Sequence, residues 1–446
     1  MDPYLLGLVG LGMSLVLIAL RVPIAFALGV VAVVCIFLFF ALSGGGEPRF
    51  AMAVVPAMTL ASGTVFELFH SYELTAIPMF VALGHVCFRA GITSDIYFAA
   101  RVWLARIPGG LAMASVLGCG GFAAISGSSL ACAATMGRVA VPEMLRFGYD
   151  QRLAAGSVAA AGTLGSLIPP GILFILYGLF AEQSVAKLFM AGVMPGLISL
   201  VGYWVVIGIW TSLRPGHAPA AERQFTISER VTAMLRAWPA AMIFAIIVGG
   251  IYGGIFTATE AAAVSFATGT VIAFATRRIT MGGFIAALGE TASQTAAIFL
   301  IAGAAKIFVS FVSLTGIAHV MVDLVQLADP GPVLLLVGVA VVYLVLGMFL
   351  DPLGILLLTL PFVLPLIEQN GFDLIWFGVI LVKLLEMGLI TPPVGLNVFV
   401  LASVTEPKVA IEKVFAGVMP FFLMDIVVLG LLLAFPVLSL WLGGAI

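Results

Sequence analysis

The residues GSLIPPG at 165–171 and GLITPPVGLN at 388–397 decide the fold of this chain. Each stretch lies inside a long apolar run and contains two adjacent prolines. A Pro-Pro pair removes two backbone N–H donors, and its rings clash with the preceding turn, so a regular helix cannot continue through it. The sequence therefore predicts two helices that are interrupted in the middle of apolar segments.

The composition predicts an integral membrane protein. Of the 446 residues, 63% are hydrophobic and only 9% are charged. Runs of about 20 apolar residues, the length that crosses the hydrocarbon core, follow one another almost from end to end. Segments such as 30–40 and 333–346 are apolar throughout instead of alternating with period two, which predicts a helical bundle and excludes an outer-membrane barrel. The four cysteines lack metal-type spacing, so we expect packed thiols.

The two interruptions also indicate a function. In hydrocarbon, carbonyls that a broken helix leaves free need partners, so such backbone survives only inside protein or beside a wet cavity. Paired breaks at corresponding positions are typical of secondary transporters, where they form the substrate and ion site near the bilayer midplane. A single proline more often only kinks a helix for packing. The paired pattern favours a substrate and ion site instead.

Each break follows a second interruption at the same interval. Ser126-Gly127-Ser128-Ser129 and Asp351-Pro352 divide apolar elements that are too long for one span, and we interpret each as the tip of a re-entrant hairpin. Ser128 precedes Pro169 by 41 residues, and Asp351 precedes Pro392 by 41 residues. The matched spacing predicts an internal repeat, and we expect an inverted relation between the halves.

A polar linker at 213–236 separates the halves. Its arginines, Arg214, Arg223, Arg230 and Arg236, place it in the cytoplasm by the positive-inside rule. Residues 93–107 carry recurring charges among apolar residues, which predicts an amphipathic helix lying along the interface. In total we expect an all-α polytopic membrane protein with about eleven spans and the two hairpins.

Six motifs resemble the large membrane subunit of tripartite ATP-independent periplasmic (TRAP) transporters. The resemblance extends over most of the chain, and the motifs occur in this order: RVPIAFALG (21–29), AIPMF (76–80), SGSSLA (126–131), GIFTATEAAA (254–263), GMFLDP (347–352) and TPPVGLN (391–397). One departure lies at the first break, where Gly171 stands after the two prolines and many relatives carry a serine after the proline.

The resemblance implies an elevator-type carrier in the bacterial inner membrane, driven by a sodium gradient. It implies two partners, a four-helix small membrane subunit and a periplasmic binding protein that delivers an organic acid such as a C4-dicarboxylate or sialic acid. Because the sequence starts directly with the large subunit, we expect the small one as a separate chain. The corresponding domains are scaffold segments at 1–108, 186–331 and 411–446, and transport segments at 109–185 and 332–410.

Candidate ligands for sodium lie at both breaks. Hard cations prefer carbonyl, hydroxyl and carboxylate oxygens, and an unwound helix frees carbonyls. The candidates for the first ion are the carbonyls of Gly165, Ile168 and Pro170 and the hydroxyls of Ser126, Ser128 and Ser129. Those for the second ion are Gly347, Gly388, Thr391 and Val394, because Gly347 lies 41 residues before Gly388 and the last three are spaced three residues apart. The resemblance places sodium sites at the same two positions.

Between the hairpin tips, the N-terminal ends of broken helices attract an anion. The polar candidates for substrate binding are Ser166, Asp351, Thr391 and Asn397. An acidic side chain repels an anionic substrate unless a cation intervenes, so Asp351 could instead cap the helix that starts at Pro352.

Other interpretations stay open at this point. A stand-alone sodium- or proton-coupled dicarboxylate symporter of the same superfamily fits the same breaks, and an intramembrane hydrolase using Ser128 and His85 is a different class, although we expect no enzyme. Ionisable residues within apolar runs are expected mainly to pair; Lys383 and Glu386, three residues apart, could pair with each other. Glu260, after Thr257, is expected at a helix terminus.

Overall fold

A computed structural model describes residues 2–42, 48–219, 225–328 and 330–443. Within these ranges every regular element is helical, which confirms the all-α prediction. Glu222 and Arg223 of the polar linker lie outside the described residues.

The helices are, in chain order, α1 (Pro3–Ala19), α2 (Ile24–Leu42), α3 (Phe50–Phe69), α4 (Ala76–Arg89), α5 (Ile92–Leu104), α6 (Gly110–Ser126), α7 (Ser129–Arg146), α8 (Gln151–Gly162), α9 (Leu164–Leu167), α10 (Ile172–Phe180), α11 (Val185–Leu213), α12 (Ile227–Arg236), α13 (Trp238–Phe244), α14 (Gly250–Tyr252), α15 (Ala258–Ala275), α16 (Met281–Thr315), α17 (Ile317–Ala328), α18 (Pro332–Gly347), α19 (Pro352–Gln369), α20 (Leu374–Gly388), α21 (Leu396–Val404), α22 (Ile411–Ala434) and α23 (Val437–Gly443).

Many of these helices are long enough to cross a bilayer. Among the described residues, eight helical segments have the length and hydropathy of a span, and two bent pairs raise the number to ten. The predicted count of eleven spans with two hairpins stays a prediction. In one bent pair, α5 turns away by 62° after Gly91, whose φ of +70° suits glycine. The predicted interfacial placement of residues 93–107 also stays a prediction.

The chain divides into two compact units. The first comprises residues 1–74, 293–341 and 353–374, and the second comprises residues 75–292, 342–352 and 375–446. In the first unit, a Cβ on Gly10 would lie 2.4 Å from the Phe311 ring, so α1 packs closely on α16. The scaffold and transport boundaries predicted from the sequence stay a prediction.

The second unit holds both diproline stretches, and its core surrounds α8. Residues 153–162 of α8 are all buried. A Cβ on Gly156 would lie 2.3 Å from the carbonyl carbon of Gly417 in α22, so only glycine allows these two backbones to meet. All four cysteines are buried free thiols, as expected.

Both diproline stretches interrupt their helices, as the sequence predicts. After α8 and the short α9, Ile168 is extended with ψ 125°, and α10 begins only at Ile172. In the second half α20 ends at Gly388, and α21 begins at Leu396 after Gly395, whose φ is +55°. Helix geometry is lost at each break because the prolines cannot donate to the preceding turn.

The two predicted tips are also interruptions. α6 ends at Ser126, the backbone turns at Gly127 with φ +61°, and α7 begins at Ser129. The Ser128 hydroxyl caps α7 by accepting from the Ala131 N–H at 3.4 Å. In the second half α18 ends at Gly347 and α19 begins at Pro352. Asp351 therefore occupies the position before the first turn, where the alternative capping role would place it.

Candidate functional site

The first tip and the first break lie against each other. A Cβ on Gly165 would lie 2.6 Å from the Ser129 Cα, and one on Gly127 would lie 1.9 Å from the Pro170 carbonyl oxygen. The Gly127 carbonyl also accepts a long hydrogen bond, 3.5 Å, from the Ile172 N–H. Backbone therefore meets backbone here, and the Pro170 carbonyl is directed at the turn of the tip.

Hydroxyls from both sides meet at this contact. The Ser129 Oγ lies 3.0 Å from the Ser166 Oγ, and both residues are buried. The Ser126 Oγ accepts from the Ser128 N–H at 3.5 Å, so it faces the tip's own backbone. The structure thus brings the serines of the tip next to Gly165 and Pro170 and adds Ser166, which the sequence had suggested for the substrate. A role for the Ile168 carbonyl at this point stays a prediction.

The second break meets its own interruption in the same manner. A Cβ on Gly388 would lie 2.6 Å from the Gly347 Cα. The Thr391 hydroxyl donates to the Met387 carbonyl at 2.7 Å, which leaves its oxygen lone pairs for another partner. Val394 and Asp351 are half-buried. Gly347 and Gly388, chosen from the sequence because 41 residues separate them, are therefore direct neighbours.

Asn397 connects the second break to the first half. Its backbone N–H donates to the Leu389 carbonyl at 3.0 Å across the break, and its side-chain nitrogen donates to the Ala159 carbonyl of α8 at 3.4 Å. A Cβ on Gly162 would lie 3.1 Å from that nitrogen and 3.4 Å from the Ser129 carbonyl oxygen. The two breaks are therefore neighbours within one unit instead of lying on opposite sides of it.

A buried charged network, which no pattern in the sequence predicts, lies beside the first break. The Lys383 Nζ lies 2.5 Å from Asp425 Oδ1 and donates to the Ser199 hydroxyl at 3.0 Å. The Tyr203 hydroxyl lies 2.8 Å from both Asp425 oxygens and 2.9 Å from the Thr163 hydroxyl. The suggested pairing of Lys383 with Glu386 is wrong, because α22 supplies the carboxylate that Lys383 contacts.

Glu386 occupies an unusual environment on the same helix. Its side chain is 1% exposed, and neither carboxylate oxygen has a hydrogen-bond partner among the described residues. The hydroxyls of Ser129 and Ser166 are its polar neighbours, although neither reaches normal hydrogen-bond geometry. A glutamate within an apolar run is visible in the sequence. That its side chain lies next to the first break could not be seen there.

Two further ionisable residues that lie in apolar runs, Glu260 and His85, have structural partners. Glu260 and Thr257 form a capping box at the start of α15, which confirms the helix-terminus expectation. His85 Nδ1 lies 3.2 Å from Glu290, and Arg89 also pairs with Glu290, at 2.6 Å. With His85 beside Glu290 and Ser128 capping α7, the geometry gives no support to a Ser128–His85 hydrolase.

The comparison with known proteins identifies the family. The sequence profile of the DctM component of tripartite ATP-independent periplasmic transporters matches residues 11–438. The chain belongs to the DctM family of TRAP transporter large permeases. It is 35% identical over 384 residues to the C4-dicarboxylate TRAP transporter large permease protein DctM of Pseudomonas aeruginosa, covering 85% of this chain and 89% of that one.

Further relatives of this DctM-family chain have other named substrates. The isethionate TRAP transporter permease protein DctMQ of Oleidesulfovibrio alaskensis is 32% identical over 95% of this chain and 64% of its own length. The ectoine TRAP transporter large permease protein TeaC of Halomonas elongata is 30% identical over 83% of this chain and 86% of its own.

Solved structures with the same fold are more distant in sequence. The YdaH transporter of Alcanivorax borkumensis superimposes with a TM-score of 0.60 at 16% identity, covering 100% of this chain and 99% of that chain. MtrF of Neisseria gonorrhoeae superimposes with a TM-score of 0.60 at 12% identity, covering 99% and 95%. These likenesses show that the DctM-family chain shares its fold with both proteins.

Proposed function

We propose that this permease takes up a small organic acid with sodium across the bacterial inner membrane, after a periplasmic binding protein has delivered the substrate. The proposal is carried by one observation: each helix break contacts the predicted hairpin tip of its own half. Residues 127–129 contact residues 165–170 in the first half, and Gly347 contacts Gly388 in the second. Both meetings lie in one compact unit. They provide the carbonyl- and hydroxyl-rich points that a carrier of small cations and anions needs inside hydrocarbon.

Sodium is the proposed coupling ion at both points. At the first point its ligands would come from Ser126, Ser128, Ser129, Gly165, Ile168 and Pro170, and at the second from Gly347, Gly388, Thr391 and Val394. The proposal is supported by the chemistry of this set, which offers backbone carbonyls and hydroxyls and no soft ligand. The ion is co-transported cargo, so weak and reversible binding suffices.

The names of the relatives and the polarity of the site support an organic acid as the substrate class. C4-dicarboxylates, isethionate and ectoine, which the relatives described above are named for, all carry an acidic group. We place the acid between the two breaks, in contact with Ser166, Thr391 and Asn397. Asp351 can contact an anionic substrate only when a bound cation neutralises its charge, and otherwise it caps α19.

Movement and partners complete the proposal. The transport segments at 109–185 and 332–410, which contain both breaks, move as the transport domain of an elevator and carry ion and acid together. Its partners are a four-helix small membrane subunit and the periplasmic binding protein. A stand-alone symporter of the same architecture is the competing mode, and the need for the binding protein separates the two.

The test is uptake into proteoliposomes that contain the permease and its small subunit. We expect accumulation of a radiolabelled carboxylate only when an inward sodium gradient and the purified binding protein are both present. Replacing sodium by choline should abolish uptake, and a potassium gradient of equal size serves as the control. Robust uptake without the binding protein would favour the stand-alone symporter, and uptake that ignores sodium would refute sodium coupling.

A further inference from the structure

Glu386 is a buried carboxylate whose oxygens form no hydrogen bond of normal geometry with the described residues. It lies in the last turn of α20, two residues before Gly388, and both of its oxygens are enclosed without a hydrogen bond to any described residue. Buried polar groups are nearly always satisfied, and an exception calls for a ligand, an ion or a special role. Because the second break begins at Gly388, the unsatisfied carboxylate of Glu386 lies within the candidate site and not in a remote part of the core.

Nearby charges leave Glu386 uncompensated. Lys383, on the preceding turn, is already paired with Asp425 at 2.5 Å, and Asp425 accepts in addition from Tyr203. The Lys383–Asp425 pair is neutral as a whole, so the ionised form of Glu386 would add one net negative charge. An isolated carboxylate in a dry interior is strongly unfavourable unless a cation accompanies it.

Two hydroxyls converge on the same carboxylate. Ser129 starts α7 and Ser166 lies in α9, their Oγ atoms are 3.0 Å apart, and both lie next to Glu386. Three different elements, α7, α9 and α20, thus direct oxygens at one buried point. Two hydroxyls and a carboxylate are the ligand types that a hard monovalent cation prefers, and the carboxylate would make the occupied site neutral.

We propose that Glu386 is a charged ligand of the coupling cation at the first break, together with the Ser129 and Ser166 hydroxyls. This inference rests on the proposed sodium coupling and extends it, because the ligands predicted for that ion from the sequence include no carboxylate and come only from the first half. Glu386 belongs to the second half. The bound cation therefore connects α20 to the first hairpin tip. When the cation leaves, no shared ligand holds Glu386 next to the tip.

The experiment compares sodium binding by the purified permease and by Glu386→Gln, which keeps the volume of the side chain and removes its charge. Thermal unfolding is followed against sodium concentration, with choline holding ionic strength constant. Glu412→Gln, an exposed position on α22, is the matched control with the same chemical change. We expect the half-saturating sodium concentration to rise about tenfold or more in Glu386→Gln and to stay unchanged in Glu412→Gln.

The outcomes separate this inference from the proposed function. If the wild-type protein is stabilised by sodium and Glu386→Gln is stabilised with the same half-saturation, Glu386 is a neutral packed acid and the inference is overturned alone. If sodium has no effect on the wild-type protein, sodium coupling is overturned and the inference with it. Should Glu386→Gln not fold, Ser166→Ala removes one neighbouring hydroxyl, and an unchanged sodium response in that variant overturns the inference equally.

Discussion

Replacing Gly388 by alanine tests whether the contact between α18 and the end of α20 builds the second ion site. The added Cβ would lie 2.6 Å from the Gly347 Cα and 3.1 Å from its carbonyl oxygen. Carbon atoms pack at about 3.5–4.0 Å, so the two backbones must separate by about 1 Å. The neighbours are backbone atoms and not flexible side-chain ends, so no rotamer change relieves the clash.

The cost of this separation is moderate for folding and large for binding. Overpacking costs about 1–3 kcal/mol, and the lower chain entropy of alanine in the unfolded state offsets about 0.4–1 kcal/mol of it. We therefore expect a protein that is destabilised by about 1–2 kcal/mol and still folds. A cation site tolerates deviations of only about 0.2 Å in its ligand distances, so a displacement of about 1 Å removes Gly388 or Gly347 from the ligand set.

The assay is sodium-driven uptake in proteoliposomes, measured together with the melting temperature. For Gly388→Ala we expect the half-saturating sodium concentration to rise about tenfold or more, with the melting temperature only slightly lowered. Gly430→Ala is the matched control, because no heavy atom of the described residues outside its own helix backbone lies within 4 Å of the added Cβ. Uptake by Gly388→Ala with the sodium dependence of Gly430→Ala would refute the assignment of the second site.

Two further predictions concern stability, each measured by thermal unfolding in the absence of sodium. Asp425→Asn should destabilise the protein by about 3–5 kcal/mol because Lys383 keeps a buried charge, whereas combining it with Lys383→Met should recover much of that loss; a double variant as unstable as Asp425→Asn alone would contradict this. Thr257→Ala should cost about 1 kcal/mol because it removes the N-terminal cap of α15, and Ser403→Ala, at an exposed hydroxyl, serves as its control.

The helix breaks could be predicted from the sequence because their cause is local. A proline lacks its N–H and clashes with the preceding turn in any environment, so the positions 169–170 and 392–393 interrupt a helix whatever surrounds them. The contact of Gly347 with Gly388 also followed from the sequence, because the 41-residue interval repeated the spacing of the first half. Repetition carries information about tertiary contacts that a single segment does not.

The partners of the buried charges could not be predicted in this way. The spacing of Lys383 and Glu386 shows that the two side chains can meet on one helix face, but it does not show which other helix competes for either of them. Asp425 lies 42 residues from Lys383, and Tyr203 and Ser199 lie on α11. That choice depends on how α11, α20 and α22 pack, and no local pattern in the sequence records it.

The end of α20 has a double function in this arrangement. Glu386 is directed at the Ser129 and Ser166 hydroxyls of the first half, and Gly388, two residues later, touches Gly347 of the second. Two residues of helix correspond to a rise of about 3 Å, so the last turn of α20 cannot move at one site and stay fixed at the other. If the proposed cations bind, one that holds Glu386 also holds Gly388 against Gly347, and by linkage we expect occupation of the second site to strengthen binding at the first by the same factor. Coupling between the two proposed ions would then follow from the stiffness of a single helical turn and would need no longer pathway through the protein.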